Sequence, residues 1–319
     1  MSDVLDVRGV QETAIRIREN VQRVIVGKDN VIDLAVIALL CRGHILVEDV
    51  PGIGKTTMAK ALAQSLGCSF KRIQFTPDIM PADVLGVNFF NQKAGDFEFR
   101  PGPIFSEVVL VDEINRATPR TQSALLEAMQ ERQATIDGTT MSLPDPFLVM
   151  ATQNPIEMEG TFPLPEAQLD RFMVRVILGY PSAEEESDIL LRFERDTVLS
   201  DLESVIDGDE LKLMQGVVPT VRVDKALREY IVAIVNKTRE HSSISLGASP
   251  RAGLFLYKAS QARAAIDGRD FVTPDDIKEN AVPVLAHRLI LTSNARVLGH
   301  SAVRFVGEAL DSVTVPIER

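Results

Sequence analysis

The stretch Ile45-Leu46-Val47-Glu48-Asp49-Val50-Pro51-Gly52-Ile53-Gly54-Lys55-Thr56-Thr57 constrains the fold more than any other. Its apolar start, Ile45 to Val47, reads as a buried strand. A Gly/Pro turn follows, and then a helix over Thr56 to Leu66. Met58, Ala59, Leu62, Ala63 and Leu66 recur at the spacing of one buried helical face. Gly52 and Gly54 let the backbone turn tightly and bring amides close to an anion. The helix start adds unpaired N–H groups and a positive dipole end. Lys55 can then reach β- and γ-phosphates, and the Thr56 hydroxyl can hold Mg²⁺. Pro51, Ile53 and Thr57 complete the nucleotide-contacting loop. One residue departs from the phosphate-loop pattern G-x-x-x-x-G-K-[ST]: Asp49 stands where the first Gly belongs. Its carboxylate is expected to point away from the nucleotide.

A second stretch, Val108-Val109-Leu110-Val111-Asp112-Glu113, is continuously apolar and then ends in two acids. Such a run reads as a central parallel strand with carboxylates at its C-terminal edge, where open α/β sheets bind ligands. Asp112 suits a water-mediated Mg²⁺ contact, and Glu113 suits a base that polarises an attacking water. An ordinary strand that happens to end in Asp-Glu is the other reading, and Lys55 upstream in the same chain weighs against it.

Composition narrows the function classes. The 319 residues make one large or two modest domains, and 45% hydrophobic content suits a packed interior. Net charge is −11, tryptophan is absent and there are three tyrosines, so a general phosphate-backbone binder with base-stacking platforms is not expected. Cys41 and Cys68 are too few for a disulfide framework or a zinc site, and the four His show no metal spacing. No signal-peptide layout or bilayer-length apolar run is present in the sequence, and a cytoplasmic protein without membrane insertion is expected.

In chain order, residues 1 to 10 read as loosely ordered, and Val10 to Val24 reads as an amphipathic helix. Val26-Gly27 falls in a break, and Asn30 to Arg42 reads as an apolar helix under the first strand. Further strands are expected at Phe70 to Phe75, Phe147 to Thr152 and Val174 to Leu178. A helix is expected to begin in the Thr76 to Asp83 stretch and to stop at Gly86. Hairpins are expected at Asn88 to Arg100 and Ala134 to Leu143, with a helix over Arg120 to Gln133 between them. A short helix over Pro165 to Phe172 carries Asp170-Arg171. Gly179-Tyr180-Pro181 reads as a boundary between residues 1–180 and 181–319. Beyond it only helical periods are found, near Glu184 to Thr197, Asp209 to Gln215, Asp224 to Thr238, Arg251 to Ile266 and Pro274 to Leu285.

The order of these motifs resembles an AAA+ ATPase, and their wording resembles the MoxR family. The resemblance rests on Glu48 to Thr56, Val111-Asp112-Glu113-Ile114-Asn115-Arg116-Ala117, Ala151-Thr152-Gln153-Asn154-Pro155, Leu164 to Phe172, and Gly247-Ala248-Ser249-Pro250-Arg251-Ala252. Gly268-Arg269-Asp270 and Val272-Thr273-Pro274-Asp275-Asp276 fit the family's lid. It implies an α/β fold, an αβα nucleotide-binding domain with a parallel sheet, followed by a small all-helical lid. The hairpins resemble the helix-2 insert and the pre-sensor-1 hairpin shared with magnesium chelatase and MCM relatives. The resemblance further implies that Asn154 acts as sensor 1, Arg171 as an arginine finger on a neighbour's ATP, and Arg251 as sensor 2, in cis or in trans. Val26-Gly27 would line the adenine pocket, and Arg116 would be a candidate intersubunit contact. The implied function is a Mg²⁺-dependent ATPase working as a homo-oligomeric, hexameric ring that remodels or matures client proteins, metalloenzymes among them, with von Willebrand A-domain partners. An MCM-like nucleic-acid motor, a chelatase motor subunit and an ATP-gated assembly switch without turnover are the competing readings. The first hairpin carries Phe89, Phe90, Phe97 and Phe99 rather than basic residues, which suits a polypeptide client or burial in a neighbouring interface.

Overall fold

Side-chain alternation along the strands builds the sheet. In β1 (Ile45–Glu48), Ile45 and Val47 face one apolar cluster and Leu46 faces the other. The same split recurs in β5 (Val108–Asp112) and β8 (Leu148–Gln153), so these strands are covered on both faces and must be apolar throughout. β2 (Phe70–Gln74) leaves Lys71, Arg72 and Gln74 exposed and takes an edge, while β9 (Val174–Val176) closes the other. The order is β2-β5-β8-β1-β9, and every pairing is parallel. All five C-terminal ends therefore share one edge, at which the chain's polar motifs gather. The structure is a computed structural model and describes residues 6–154, 160–194 and 199–316.

Helices cover both faces of this sheet. On one side lie α1 (Val7–Gln22), α2 (Asp29–Leu40) and α3 (Lys55–Ser65). On the other lie α4 (Pro81–Leu85) and α5 (Pro119–Glu131). α1 begins three residues earlier than Val10, because the Asp6 carboxylate accepts from the Arg8 and Gly9 amides and caps the helix. α4 is confined to its last turn, since Asp83 caps the Met80 amide at 2.9 Å and Pro81 starts the helix. The hairpins form as expected. β3 (Gly86–Asn91) pairs with β4 (Asp96–Pro101), and β6 (Gln133–Ile136) pairs with β7 (Thr139–Ser142).

α6 (Glu166–Leu169) precedes β9, and Gly179 to Pro181 connects β9 to α7 (Ala183–Glu194). The expected continuation of that helix to Thr197 lies outside the described residues, as do residues 1–5 and Pro155. α8 (Gly208–Val217), α9 (Lys225–Glu240), α10 (Pro250–Ile266) and α11 (Pro274–Leu285) follow. The later part is not purely helical. β10 (Ile244–Leu246) and β11 (Ile290–Leu291) form an antiparallel ribbon too short for any alternation to register in the sequence. α12 (Ser293–Val297) and α13 (Ala302–Ser312) also go unforeseen, although α13 buries Phe305, Val306 and Ala309 on one face. One apolar cluster runs from α1, α2 and α3 into α8 to α11 and α13, so the later helices share a core with the sheet's helical cover.

His44 anchors the sheet at the N-terminal end of β1. Its Nδ1 accepts from the Val149 amide at 3.0 Å, so Nε2 carries the proton and donates to the Met129 carbonyl at 3.1 Å. Burial pushes its pKa down to about 4; the Met129 hydrogen bond opposes this and nearby Arg132 adds to it. A folded-state pKa below the unfolded value means the contribution is full above about pH 6.5 and is lost as pH falls toward 4. The neutral ring should contribute about 3 kcal/mol that disappears across that window. Denaturant unfolding over pH 6.5 to 4 checks this. His44→Gln should remove that share of the pH slope, and an unchanged slope would refute it.

Candidate nucleotide site

Between β1 and α3 the chain turns through Gly52 and Gly54, both at positive φ, and Gly54 is the residue before the helix. The loop, the start of α3 and the C-terminal ends of β2, β5 and β8 enclose a cavity of about 340 Å³. Its walls include Pro51, Gly52, Gly54, Lys55, Thr56 and Thr57 from the loop, and Asp112, Glu113 and Asn154 from the strand ends. The structure thus gathers most of the sequence-predicted phosphate and metal residues in one place. Ile53 turns toward the apolar core instead.

Lys55 donates from Nζ to the Asp49 carbonyl at 2.9 Å. Burial lowers its pKa below the usual lysine range, while the carboxylates of Asp49, Asp112 and Glu113 hold it up. The ammonium is therefore partly desolvated and surrounded by anions, a setting in which a phosphate is a favourable partner. Asp49 itself is 7% exposed and does not line the cavity, as expected for a carboxylate turned from the nucleotide.

Asp112 is positioned from both neighbouring strands. Its Oδ1 accepts from the Thr152 hydroxyl at 3.2 Å, and its Oδ2 pairs with Arg72 Nε at 2.5 Å. Glu113, the next residue, has φ +56°, a left-handed conformation that costs a non-glycine residue on the order of 1 kcal/mol. Its amide donates to Thr152 Oγ1 at 3.0 Å, and its Oε2 accepts from Gln74 Nε2 at 2.8 Å and Arg116 Nε at 2.9 Å. Arg116 thus reaches the acid of its own chain. Sequence reasoning missed Arg72 and Gln74. Their signal was the alternation along β2, which puts both on one face beside the acidic strand end.

The donor set fits a hard divalent cation. Thr56 offers a hydroxyl and Asp112 a carboxylate to the same cavity. Among the described residues no group of three or more His, Cys, Asp or Glu is placed to hold a metal ion, so a Mg²⁺ here would take its remaining oxygen ligands from outside the protein.

Val26 and Gly27 lie outside this cavity. A Cβ on Gly27 would fall 1.6 Å from Glu185 Oε1, so that flexible side chain of α7 covers a position whose φ of +67° already favours glycine. Glu185 also pairs with Lys28 at 3.7 Å.

Arg171 and Arg251 line a different cavity, together with Arg42, Arg132, His44 and Phe255. The two cavities share no wall residue. Arg42 and His44 precede β1 whereas the phosphate loop follows it, and four extended residues span roughly 13 Å. Arg171 forms no ion pair among the described residues. The carboxylate of Asp170 is taken by Arg288 at 2.9 Å and by the Ser249 hydroxyl, with Arg251 at 3.7 Å. Arg132, half-buried and drawn below the usual arginine range by desolvation and by Arg42, holds one Nη without a hydrogen-bond partner. This is an arginine-lined hollow that includes the residues preceding β1 and shares no wall with the phosphate-loop cavity.

Residues 44–174 match the model of the ATPase family associated with various cellular activities (AAA), and residues 236–306 match the AAA lid domain. The chain is 53% identical over 301 residues to the uncharacterized protein YeaC of Bacillus subtilis, covering 94% of each. It is 41% identical over 305 residues to Chaperone MoxR1 of Mycobacterium tuberculosis, covering 93% of this chain and 80% of that one. The crystal structure of a proposed ATPase from Cytophaga hutchinsonii superposes with a TM-score of 0.91 at 38% identity, covering 98% and 97% of the two chains. The fold and the phosphate-loop cavity are thus those of an AAA+ ATPase, with an α/β nucleotide-binding part and a helical lid. Within that class the chain belongs to the MoxR family.

Proposed function

We propose that this protein is a Mg²⁺-dependent ATPase that works as a hexameric ring and remodels client proteins in the cytoplasm. ATP lies on the loop Pro51 to Thr57, with its adenine toward Val26 and Gly27. Thr56 and Asp112 would hold the Mg²⁺, which would supply positive charge against the charge that develops on the phosphates. Glu113 accepts a proton from the attacking water, and Asn154 orients that water. Arg171 and Arg251 act on the neighbour's γ-phosphate, where a planar cation stabilises charge spread over its oxygens. Residues 1–180 form the ATPase part and 181–319 the lid, which moves about Gly179 to Pro181 as the γ-phosphate link is lost.

The observation that carries this reading is the separation of the two cavities. A loop with its acids at one end of β1 and an arginine hollow at the other cannot complete one site within a subunit. Head-to-tail contact completes it and closes into a ring. The hairpin β3–β4 supports a polypeptide client: Phe89, Phe90 and Phe97 are exposed, and Phe90 and Phe97 stack edge-on at 5.4 Å. Such a surface, on a chain of net charge −11, favours a protein over a nucleic acid. The name of the relative Chaperone MoxR1 supports a maturation role, and the partners we propose are von Willebrand A-domain proteins. Among the described residues no helix is long and apolar enough to cross a membrane.

Light scattering and phosphate release test the proposal together. With Mg²⁺ and ATP the protein should assemble and hydrolyse, and chelating Mg²⁺ should stop the hydrolysis. A subunit that stays alone at high concentration with Mg²⁺ and a slowly cleaved ATP analogue would refute it.

A further inference from the structure

Asp49 is a buried carboxylate that the hydrolysis scheme leaves without a task, and it is the residue that breaks the phosphate-loop pattern. Asp49 follows β1 directly, with its amide bonded to the Gln153 carbonyl at 3.1 Å. Its carboxylate is turned from the cavity. Oδ1 accepts from the Val50 amide at 3.1 Å, and Oδ2 accepts from the Gly179 amide at 2.8 Å across 130 residues of chain. A carboxylate this buried is tolerated only when hydrogen-bonded, so these contacts are specified. The glycine that the pattern calls for could make none of them. On the other side of the same residue, the Asp49 carbonyl accepts from the Lys55 ammonium at 2.9 Å.

Gly179 begins the junction into the helical part, at φ +65°. The next carbonyl, Tyr180, accepts from Lys28 Nζ at 3.3 Å. Lys28 in turn pairs with Glu185, which covers Gly27. A continuous set of contacts therefore runs from the phosphate-binding lysine, through Asp49, to the junction and the first turn of α7.

We propose that Asp49 is a positioning residue that couples the nucleotide state of the phosphate loop to the 179–181 junction. The proposal rests on the reading that a triphosphate binds this loop. In the structure Lys55 is held by the Asp49 carbonyl. A bound triphosphate offers it anionic oxygens instead, and the Asp49–Val50 peptide, relieved of the lysine, can shift together with the carboxylate to which its N–H is bonded. Its carboxylate carries that change to the Gly179 amide, where a glycine at positive φ absorbs it. The Asp49 contact thus makes the loop's occupancy legible to the helical part without touching the reacting atoms.

Hydrogen exchange of the peptide spanning residues 177–187 tests this, with and without Mg²⁺ and a slowly cleaved ATP analogue, alongside steady-state kinetics. In the wild type the analogue should change exchange at the junction. Asp49→Gly, which restores the ordinary loop pattern, should exchange about tenfold faster there and no longer respond to nucleotide. Its kcat should fall about tenfold, with KM for ATP unchanged or lower because a negative charge near the phosphates is gone. Asp49→Asn preserves shape and one acceptor and should be intermediate, and it decides the matter if the glycine variant does not fold. A kcat and a junction response in these variants equal to wild type would overturn the proposal. So would a wild-type junction indifferent to bound nucleotide. The exchange readout needs only binding, so a wild type that binds but does not hydrolyse would sink the ATPase reading while leaving the Asp49 result standing.

Discussion

Glu113→Gln is expected to leave ATP binding intact and to lower turnover by at least about 100-fold. The substitution preserves size and an oxygen acceptor, so the contacts from Gln74 and Arg116 and the left-handed backbone can persist. It removes only the capacity to take a proton from water. The loop amides, Lys55 and Thr56 are untouched, so affinity should hold. Single-turnover hydrolysis beside calorimetric nucleotide binding separates the two effects. Hydrolysis at the wild-type rate would mean that the water is activated elsewhere. Because the variant should stall with ATP bound, it is also the form in which a client should co-purify.

Much of the α/β part was legible because its strands must be apolar on both faces. Runs such as Val108 to Val111 and Phe147 to Ala151 have few other fates beside a phosphate loop. The phosphate cavity was legible for a related reason: glycines, a lysine and strand-end acids are each demanded by chemistry at a fixed place on a parallel sheet. What escaped notice depended on tertiary approach. The alternation along β2 puts Arg72 and Gln74 on one face, but that this face meets Asp112 depends on the pairing of β2 with β5. The β10–β11 ribbon joins residues some 45 apart through very short strands, below any periodic signal. The expected outward turn of Asp49 could be guessed from charge, but its bond to Gly179 could not, since that contact spans most of the α/β part. Arg42 and Arg132 join Arg171 and Arg251 in one hollow although they lie far apart in sequence.

Arg171→Ala should lower kcat by about 1,000-fold or more with little change in ATP affinity, as expected for a cation that meets the γ-phosphate chiefly in the transition state. Arg171 has no ion pair to lose among the described residues, and its neighbour Asp170 is held by Arg288 and Ser249, so the fold should tolerate the change. Loss of turnover with retained assembly would therefore report chemistry rather than unfolding. A variant as active as wild type would remove Arg171 from the site.

Mixing the two inactive variants addresses the shared site most directly. In an equimolar mixture, an Arg171→Ala subunit supplies an intact Glu113, and a Glu113→Gln neighbour supplies an intact Arg171. Random head-to-tail assembly makes about a quarter of the sites whole, so about a quarter of wild-type ATPase should return. A mixture that assembles yet hydrolyses ATP no faster than its two components alone would contradict a site built across two subunits.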